Sequence, residues 1–111
     1  MKKSLVLYHA PVSAQEMMAQ ATPEQAKSGM DAWIVWARKA GSAIIDLGAP
    51  LGNARRVQGT AVSGDGTTVV GYSMLQADSM DAIATLLKDH PHLRMPNSSI
   101  EVFESVPLPG M

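Results

Sequence analysis

The sequence contains no cysteine, few aromatic residues (5%) and few charged residues (17%), and no apolar run long enough to cross a bilayer. The absence of cysteine excludes disulfides, thiolate nucleophiles and zinc–thiolate sites, and it fits a reducing compartment. We therefore predict a cytoplasmic protein. The apolar run Leu5 to Tyr8 is too short for a secretory signal, so we expect no signal peptide and no membrane partner.

Neither sign of charge dominates, because the formal net charge is -1. Nucleic-acid binding needs a basic surface that neutralises phosphates, so we expect no nucleic-acid partner. Hydrophobic residues make up 46% of the chain, which excludes a disordered protein. The 111 residues predict one domain, 1–111, that buries its own core.

A long amphipathic helix is predicted from Pro23 to Ala40. Thr22 and Gln25 have capping-box spacing, and Gly41 suits a terminator. Gly29 in the helix interior indicates a close backbone contact. One face carries the expected apolar stripe, with Trp36 beside it: Ala26, Met30, Trp33, Ile34 and Ala37. A second helix is predicted to begin at Asp78 or Ser79 and to end at Pro91.

Four β-prone segments alternate with these helices. A polar segment, 53–58, resembles an edge strand, and Ser63-Gly64-Asp65-Gly66 predicts a hairpin turn. A short helical turn is expected after Ser13. The four main strands are predicted at 4–9, 42–47, 67–76 and 99–106.

The order β-α-β-β-α-β predicts an α+β fold of the ferredoxin-like type. Its sheet order is 4-1-3-2, with antiparallel neighbours and both helices on one face. The strands are apolar on both sides, so the second sheet face needs a cover. A homodimer with the open sheet faces packed together supplies one. The alternative cover is the loop from Gly48 to Gly66 with the C-terminal tail.

Three segments of the chain resemble the YCII-related (DGPF) domain family. Its most specific features here are Gly71-Tyr72, Ser79-Met80-Asp81-Ala82 and Asp89-His90-Pro91. The resemblance implies a dimeric α/β-barrel, related in fold to muconolactone isomerases and small barrel monooxygenases. The matching segments are AGSAIIDLGAPLG, VVGYSMLQADSMDAIATLLKDHPHL and SIEVFESVPLPG.

The sequence departs from this family at two places. The Asp-Gly-Pro-Phe signature is absent, and Ser63-Gly64-Asp65-Gly66 holds its place. Relatives often carry a histidine on the first helix, proposed to pair with an aspartate, whereas the region from Gly29 to Asp31 has none. A mechanism that needs that histidine does not transfer to this chain.

The predicted topology gathers His9, Asp46, Asp89, His90 and His92 at one end of the domain. An imidazole beside a carboxylate is a proton-transfer pair. The candidate site therefore has His9 or His90 as base, Asp46 as orienting partner or acid, and Tyr72 as donor. Each residue also has a structural interpretation. His90 would cap a helix end, His9 would bond a carbonyl, Asp46 would cap the Gly48 turn, and Tyr72 would fill the core.

We expect no cofactor and no metal. His90-Pro91-His92 would bind a metal only if His9 and Asp46 converged on it, and no nucleotide-binding or nucleophile-elbow motif is present. The first functional hypothesis is a protein that binds a small organic ligand and catalyses proton transfer, as isomerases and lyases do. The second is a non-catalytic ligand-binding or accessory interaction module, and the third is a small barrel monooxygenase.

Overall fold

The computed structural model describes residues 1–64 and 67–110. Two short 3-10 turns, Gly41–Ala43 and Pro91–Arg94, accompany the helices and strands. The elements in chain order are β1 (Lys2–His9), α1 (Ala14–Gln20), α2 (Pro23–Ala40), β2 (Ile44–Pro50), β3 (Arg56–Gln58), β4 (Ala61–Ser63), β5 (Val69–Ala77), α3 (Met80–Leu87) and β6 (Ser99–Glu104).

The main sheet has the order β2-β5-β1-β6, and its three pairings are antiparallel. Read from β6, this is the predicted order 4-1-3-2, so the α+β fold class and the ferredoxin-like topology are confirmed. The central strand β1 bonds on both sides, with Val6 opposite Ser73 of β5 and Val102 of β6.

The core lies between one sheet face and the helices. Val6 and Tyr8 of β1 are buried there with Leu75 of β5, Trp36 of α2 and Ile83 of α3. The Trp36 indole N–H donates to the Leu86 carbonyl at 3.0 Å, which ties the two longer helices together. Burial of these apolar groups is the main stabilising contribution of this layer.

Helix α2 begins and ends as predicted, but it faces the sheet differently. The Thr22–Gln25 capping box is formed in both directions, and the helix ends before Gly41, whose φ is +54°. The predicted stripe is wrong at Ala26, Met30 and Ile34, which are all exposed, Met30 to 62%. The packed positions are instead Trp33, Trp36, Ala37 and Ala40, an equally regular stripe that turns both indoles toward the sheet.

The prediction for Gly29 is also wrong, since a Cβ built there meets no atom within 4 Å. The close backbone approach is at Gly48 instead. Strand β2 continues through this glycine to Pro50, with a φ of +86° at Gly48. A Cβ at Gly48 would overlap the carbonyl oxygen of Tyr72, so only glycine fits between the two strands.

Among residues 1–64 and 67–110, no helix lies over the second sheet face. Leu5 and Leu7 point to this side, opposite Phe103 and Tyr72 respectively, and Phe103 is 47% exposed. The protein is a slab of 48 × 44 × 20 Å, as expected for one sheet with helices on one face. We call the sheet face that carries Leu5, Leu7 and Phe103 the open face.

The loop after β2 does not cover the open face as the alternative prediction supposed. It forms the β3–β4 hairpin, whose six strand residues are all exposed. The turn between β3 and β4 is at Gly59-Thr60. Gly59 has a φ of +61°, as a two-residue type II′ turn requires at its first position. Ser63 lies in β4, and Asp65 and Gly66 are outside the described residues.

Helix α3 begins at the second of its two predicted caps, because the Ser79 hydroxyl accepts from the Ala82 amide. It ends at Leu87, before Pro91. Within residues 1–64 and 67–110, no helix combines the length and hydropathy that crossing a bilayer requires.

Candidate functional site

The three histidines lie on two sides of strand β1. Tyr8 and His9 are neighbours in an extended strand, so their side chains point to opposite faces of the sheet. Tyr8 contacts His90 and His92 beneath the helices, whereas the His9 imidazole lies on the open side with Glu101. The chain therefore has a buried histidine cluster and an open one.

In the buried cluster, the hydrogen bonds run in one donor-to-acceptor direction, from the His92 amide through His90, Tyr8 and Ser73 to the Leu47 carbonyl. The His90 Nδ1 accepts from the His92 amide at 3.0 Å, so a neutral His90 carries its proton on Nε2, which lies 3.4 Å from the Tyr8 hydroxyl. Ser73 Oγ donates to the Leu47 carbonyl at 2.6 Å and therefore accepts from Tyr8 at 2.8 Å. Each polar atom in this chain has a partner.

Burial shifts the pKa values of Tyr8 and His90 toward their neutral forms. Desolvation lowers the pKa of His90 to about 4, helped by the neighbouring His92. Burial raises the pKa of Tyr8 to about 12, against the opposing effect of the Ser73 hydrogen bond. Only 1% of His90 is exposed, and the indoles of Trp33 and Trp36 lie against its ring at 4.3 and 4.4 Å between centroids.

Local sequence explains how His90 reaches this position. Pro91 disfavours helical geometry at the preceding residue, and His90 is extended, with a ψ of 138°. Its side chain caps the 3-10 turn Pro91–Arg94, so His90 does cap, but at the start of this turn and not at the end of α3. Asp89, the other predicted residue at this bend, is exposed.

The open cluster consists of His9, Thr68 and Glu101. The His9 Nε2 lies 2.7 Å from Glu101 Oε1, and Nδ1 lies 2.7 Å from Thr68 Oγ1. A carboxylate only accepts, so Nε2 carries a proton and donates it, and the Nδ1 of the neutral ring accepts from the threonine hydroxyl. This is a hydroxyl–imidazole–carboxylate array with 22% of the His9 side chain and 55% of the Glu101 side chain exposed.

Sequence reasoning missed Glu101 and Thr68 as partners of His9. The signal for Glu101 was its position in β6, next to β1 in the predicted sheet order. In the register, Glu101 lies opposite Leu7 and on the same face as His9. For Thr68 there was no comparable signal, because its position depends on the irregularity in the β1–β5 pairing between Tyr8 and His9.

The open cluster lines a cleft of about 600 Å³ at the end of the sheet. Polar side chains line it together with two small residues and one aliphatic side chain, and its mouth is open to solvent. Asn97 in its wall has a φ of +61°, a left-handed conformation that asparagine tolerates. The lining residues are His9, Ala10, Pro11, Thr68, Asn97, Ser99, Ile100 and Glu101.

Asp46 and Tyr72 form a separate pair on the open face. The Tyr72 hydroxyl donates to Asp46 Oδ2 at 3.3 Å, while Asp46 Oδ1 accepts from the Gly48 amide at 2.9 Å. The charge of Asp46 raises the pKa of Tyr72. Asp46 pairs with Met74 and His9 with Val69, so five residues of β5, roughly 17 Å, separate the two positions.

The structure thus divides the predicted site into three places. Asp46 and Tyr72 lie together, His9 lies with Glu101, and His90 lies behind the sheet. The expected convergence of His9, Asp46 and His90 is not found in the contacts of these residues. Across the described ranges, no three carboxylate or imidazole side chains have the arrangement of metal ligands.

No protein-family model matches the chain, and no curated protein matches its sequence. Among solved structures, it is similar in fold to TftG, the 5-chloro-2-hydroxyhydroquinone dehydrochlorinase of Burkholderia phenoliruptrix AC1100, in a complex with 2,5-dihydroxybenzoquinone. The two chains are 16% identical over 91% of each, with a TM-score of 0.50. At this identity the likeness shows the fold alone.

Proposed function

We propose that the protein binds a small polar organic molecule in the cleft beside His9 and transfers a proton to or from it. The observation that carries this proposal is the Thr68–His9–Glu101 array at the cleft wall. Both bonds of the array are 2.7 Å long, so the imidazole ring is held in one orientation. An oriented base with a carboxylate partner is the usual arrangement for general acid–base catalysis.

The proposed chemistry follows from the hydrogen-bond directions. The Nδ1 of His9 is the basic nitrogen and receives a proton, either from the ligand directly or through the Thr68 hydroxyl. Glu101, bonded to Nε2, stabilises the imidazolium that forms. If the proton returns to another atom of the same ligand, the reaction is an isomerisation. If the bond from the deprotonated ligand to a leaving group breaks instead and the imidazolium protonates that departing group, the reaction is an elimination, as in lyases.

The ligand class follows from the cleft and from a relative in fold. Polar groups on several sides of a 600 Å³ cleft suit a small molecule that carries hydroxyl or carbonyl groups. The dehydrochlorinase TftG has been solved with 2,5-dihydroxybenzoquinone, a molecule of that kind. We therefore propose hydroxylated cyclic ketones, phenols and quinones as the first compounds to test.

The test combines binding and proton exchange. Wild-type protein is titrated with 2,5-dihydroxybenzoquinone by NMR, and deuterium incorporation from D₂O into a panel of phenols and cyclic ketones is followed. We expect shifts at His9, Thr68 and Glu101 and a catalysed exchange. Because general acid–base catalysis contributes about 10²–10⁴-fold, His9→Gln should reduce the exchange rate by at least roughly 100-fold.

A matched control is available on the same strand. Glu101→Gln removes the carboxylate that orients His9, whereas Glu104→Gln removes one that pairs with Lys2 at 2.9 Å. The first variant should slow the exchange and the second should leave it unchanged. Equal rates in wild type and His9→Gln, or NMR shifts that map away from the cleft, would refute the proposal.

One observation favours the non-catalytic alternative. Both ring nitrogens of His9 already have partners within the protein, so the array also serves to fix the cleft wall. In that case the protein is a ligand-binding module. Saturable binding without any deuterium incorporation across the panel would select this second function.

We also propose that the protein is a homodimer paired through its open faces. Its accessible surface is 7715 Å², whereas a monomer of 11.8 kDa exposes about 5,900 Å², a difference of roughly 1,800 Å². A standard interface covers about 800 Å² of each partner. The apolar side chains of the open face, Leu5, Leu7, Met74 and Phe103, support a partner on this side.

Sedimentation tests this pairing. The wild type should have twice the 11.8 kDa chain mass, and Phe103→Asp should dissociate it. Val35→Asp is the control, because Val35 is 65% exposed on α2 and lies away from the open face. A wild-type monomer at high micromolar concentration would contradict the dimer.

Membership of the YCII-related family and a cytoplasmic location remain proposals alongside these. The likeness in fold to a dimeric α/β-barrel protein and the position of Gly71-Tyr72 within β5 support the first. The absence of cysteine supports the second.

A further inference from the structure

The β3–β4 hairpin is an arm outside the main sheet, joined to β2 by a segment that passes the Gln15 side chain of α1 at Gly52. All six strand residues are exposed, and Val57 and Val62, which lie directly opposite each other, are 71% and 64% exposed. An isolated two-stranded hairpin is marginally stable in water. The arm therefore lacks the cover that its apolar pair requires.

The shape of the molecule shows the same feature. The radius of gyration is 15.5 Å, compared with about 13 Å for a compact domain of this length. The arm leaves the sheet at its edge, where the Leu51 amide donates to the Val70 carbonyl at 2.9 Å. Its base is braced, because Arg55 donates to the carbonyls of Asn53 and Ala54 at 3.2 and 2.9 Å.

We infer that the arm of one copy packs on the open face of a second copy. This inference rests on the homodimer proposed above and specifies how the two copies hold each other. The Val57–Val62 pair supplies an apolar surface, and the open face offers exposed Phe103 beside Leu5.

The accessible surface area and the charge distribution both support contact between the arm of one copy and the open face of the other. The excess surface of roughly 1,800 Å² exceeds the 800 Å² of a standard interface side, so face-to-face contact leaves room for an additional exchanged element. Residues 51–64 include two arginines and no acidic side chain, with Asp65 next in sequence. The open face carries two carboxylates, Asp46 and Glu101, and one lysine, Lys3, so its net charge is opposite in sign to that of residues 51–64. A two-fold dimer would form this contact twice.

Cross-linking tests the contact directly, because the natural chain has no cysteine. Val62→Cys protein is mixed with a mass-tagged Phe103→Cys protein and treated with a short bis-maleimide. The control replaces the first partner by Val35→Cys, whose exposure of 65% matches the 64% of Val62. We expect a mixed cross-linked dimer from the first mixture and at least tenfold less from the control.

Sedimentation of Val62→Asp and Val35→Asp gives the second measurement, with circular dichroism to verify folding. We expect the dissociation constant to rise at least tenfold for Val62→Asp and to stay unchanged for Val35→Asp. A wild-type dimer with equal constants in both variants and no mixed cross-link overturns the arm contact and leaves the dimer standing. A wild-type monomer overturns both.

Discussion

The Nε2 of His92 donates a 2.8 Å hydrogen bond to the main-chain oxygen of His9. This bond joins the buried cluster to the strand that carries the candidate base, although the two imidazoles point to opposite sides of the sheet. The buried side is fixed by Trp33, Trp36 and Tyr8, so it acts as a rigid support for the backbone at His9. The stability of the core and the proposed proton transfer therefore depend on different histidines.

Loss of the His90 side chain should destabilise the fold. His90→Ala removes a fully buried ring between two indoles and leaves the His92 amide and the Tyr8 hydroxyl short of a partner. We expect a loss of about 2–4 kcal/mol in the free energy of unfolding, measured by urea denaturation. His9→Ala at the surface should cost less than about 1 kcal/mol. Equal losses in the two variants would contradict the division of roles.

The stability of the protein should fall at acidic pH because the buried His90 is harder to protonate in the folded state. Its pKa is about 4 in the folded protein and 6.5 when unfolded, so the unfolded chain binds the extra proton between these values. His90 makes its full contribution to the free energy of unfolding above pH 6.5. This contribution falls as the pH drops toward 4, by up to about 3 kcal/mol. His90→Asn should flatten the curve over this range relative to wild type, whereas Thr85→Ala, which changes no titratable group, should retain the slope. Parallel curves for wild type and His90→Asn would rule the assignment out.

The hydrogen-bond chain from Tyr8 through Ser73 should behave as a unit. Ser73→Ala removes the donor to the Leu47 carbonyl and the acceptor of the Tyr8 hydroxyl proton, and Tyr8→Phe removes the acceptor of the His90 Nε2–H. Each change should cost about 1–3 kcal/mol, and the double variant should cost about 1 kcal/mol less than the sum. Thr85→Ala, which removes an exposed helical hydroxyl, should change stability by less than about 0.5 kcal/mol. Additive losses would show that the chain is not cooperative.

Substitution of alanine for two different glycines should change the stability of the protein in opposite directions. Gly48→Ala would force a Cβ onto the Tyr72 carbonyl at a φ of +86°, so we expect a loss of more than about 3 kcal/mol or no folded protein. Gly29→Ala meets no neighbouring atom in helix α2 and should stabilise the protein by about 0.5–1 kcal/mol. Thermal melting measures both. A stable Gly48→Ala protein would mean that β2 and β5 do not approach so closely.

Local signals were sufficient for the two longer helices, the four strands of the main sheet and the order of these elements. The Thr22 capping box, the Gly41 stop and the Ser79 cap each depend on residues within one turn, and each is found where the sequence indicates. Apolar strands alternating with two helices then left the antiparallel order 4-1-3-2 as the expected sheet, and that order is observed.

Other features depended on packing between distant segments. The choice between Met30 and Trp36 as the buried side of α2 was decided by the fit of indole rings around His90, 54 residues beyond Trp36 in sequence. The partner of His9 was decided by the register of β6, which gives Glu101 and not Asp46.

By itself, the sequence determined the α+β class, the helix boundaries and the presence of a second apolar sheet face, because these follow from short-range periodicity and capping. Only the tertiary structure decided which imidazole meets a carboxylate and which is buried and neutral. The physical reason is that adjacent residues of a strand face opposite ways. Tyr8 and His9 therefore belong to different environments, and strand register, which no local signal encodes, selects their neighbours.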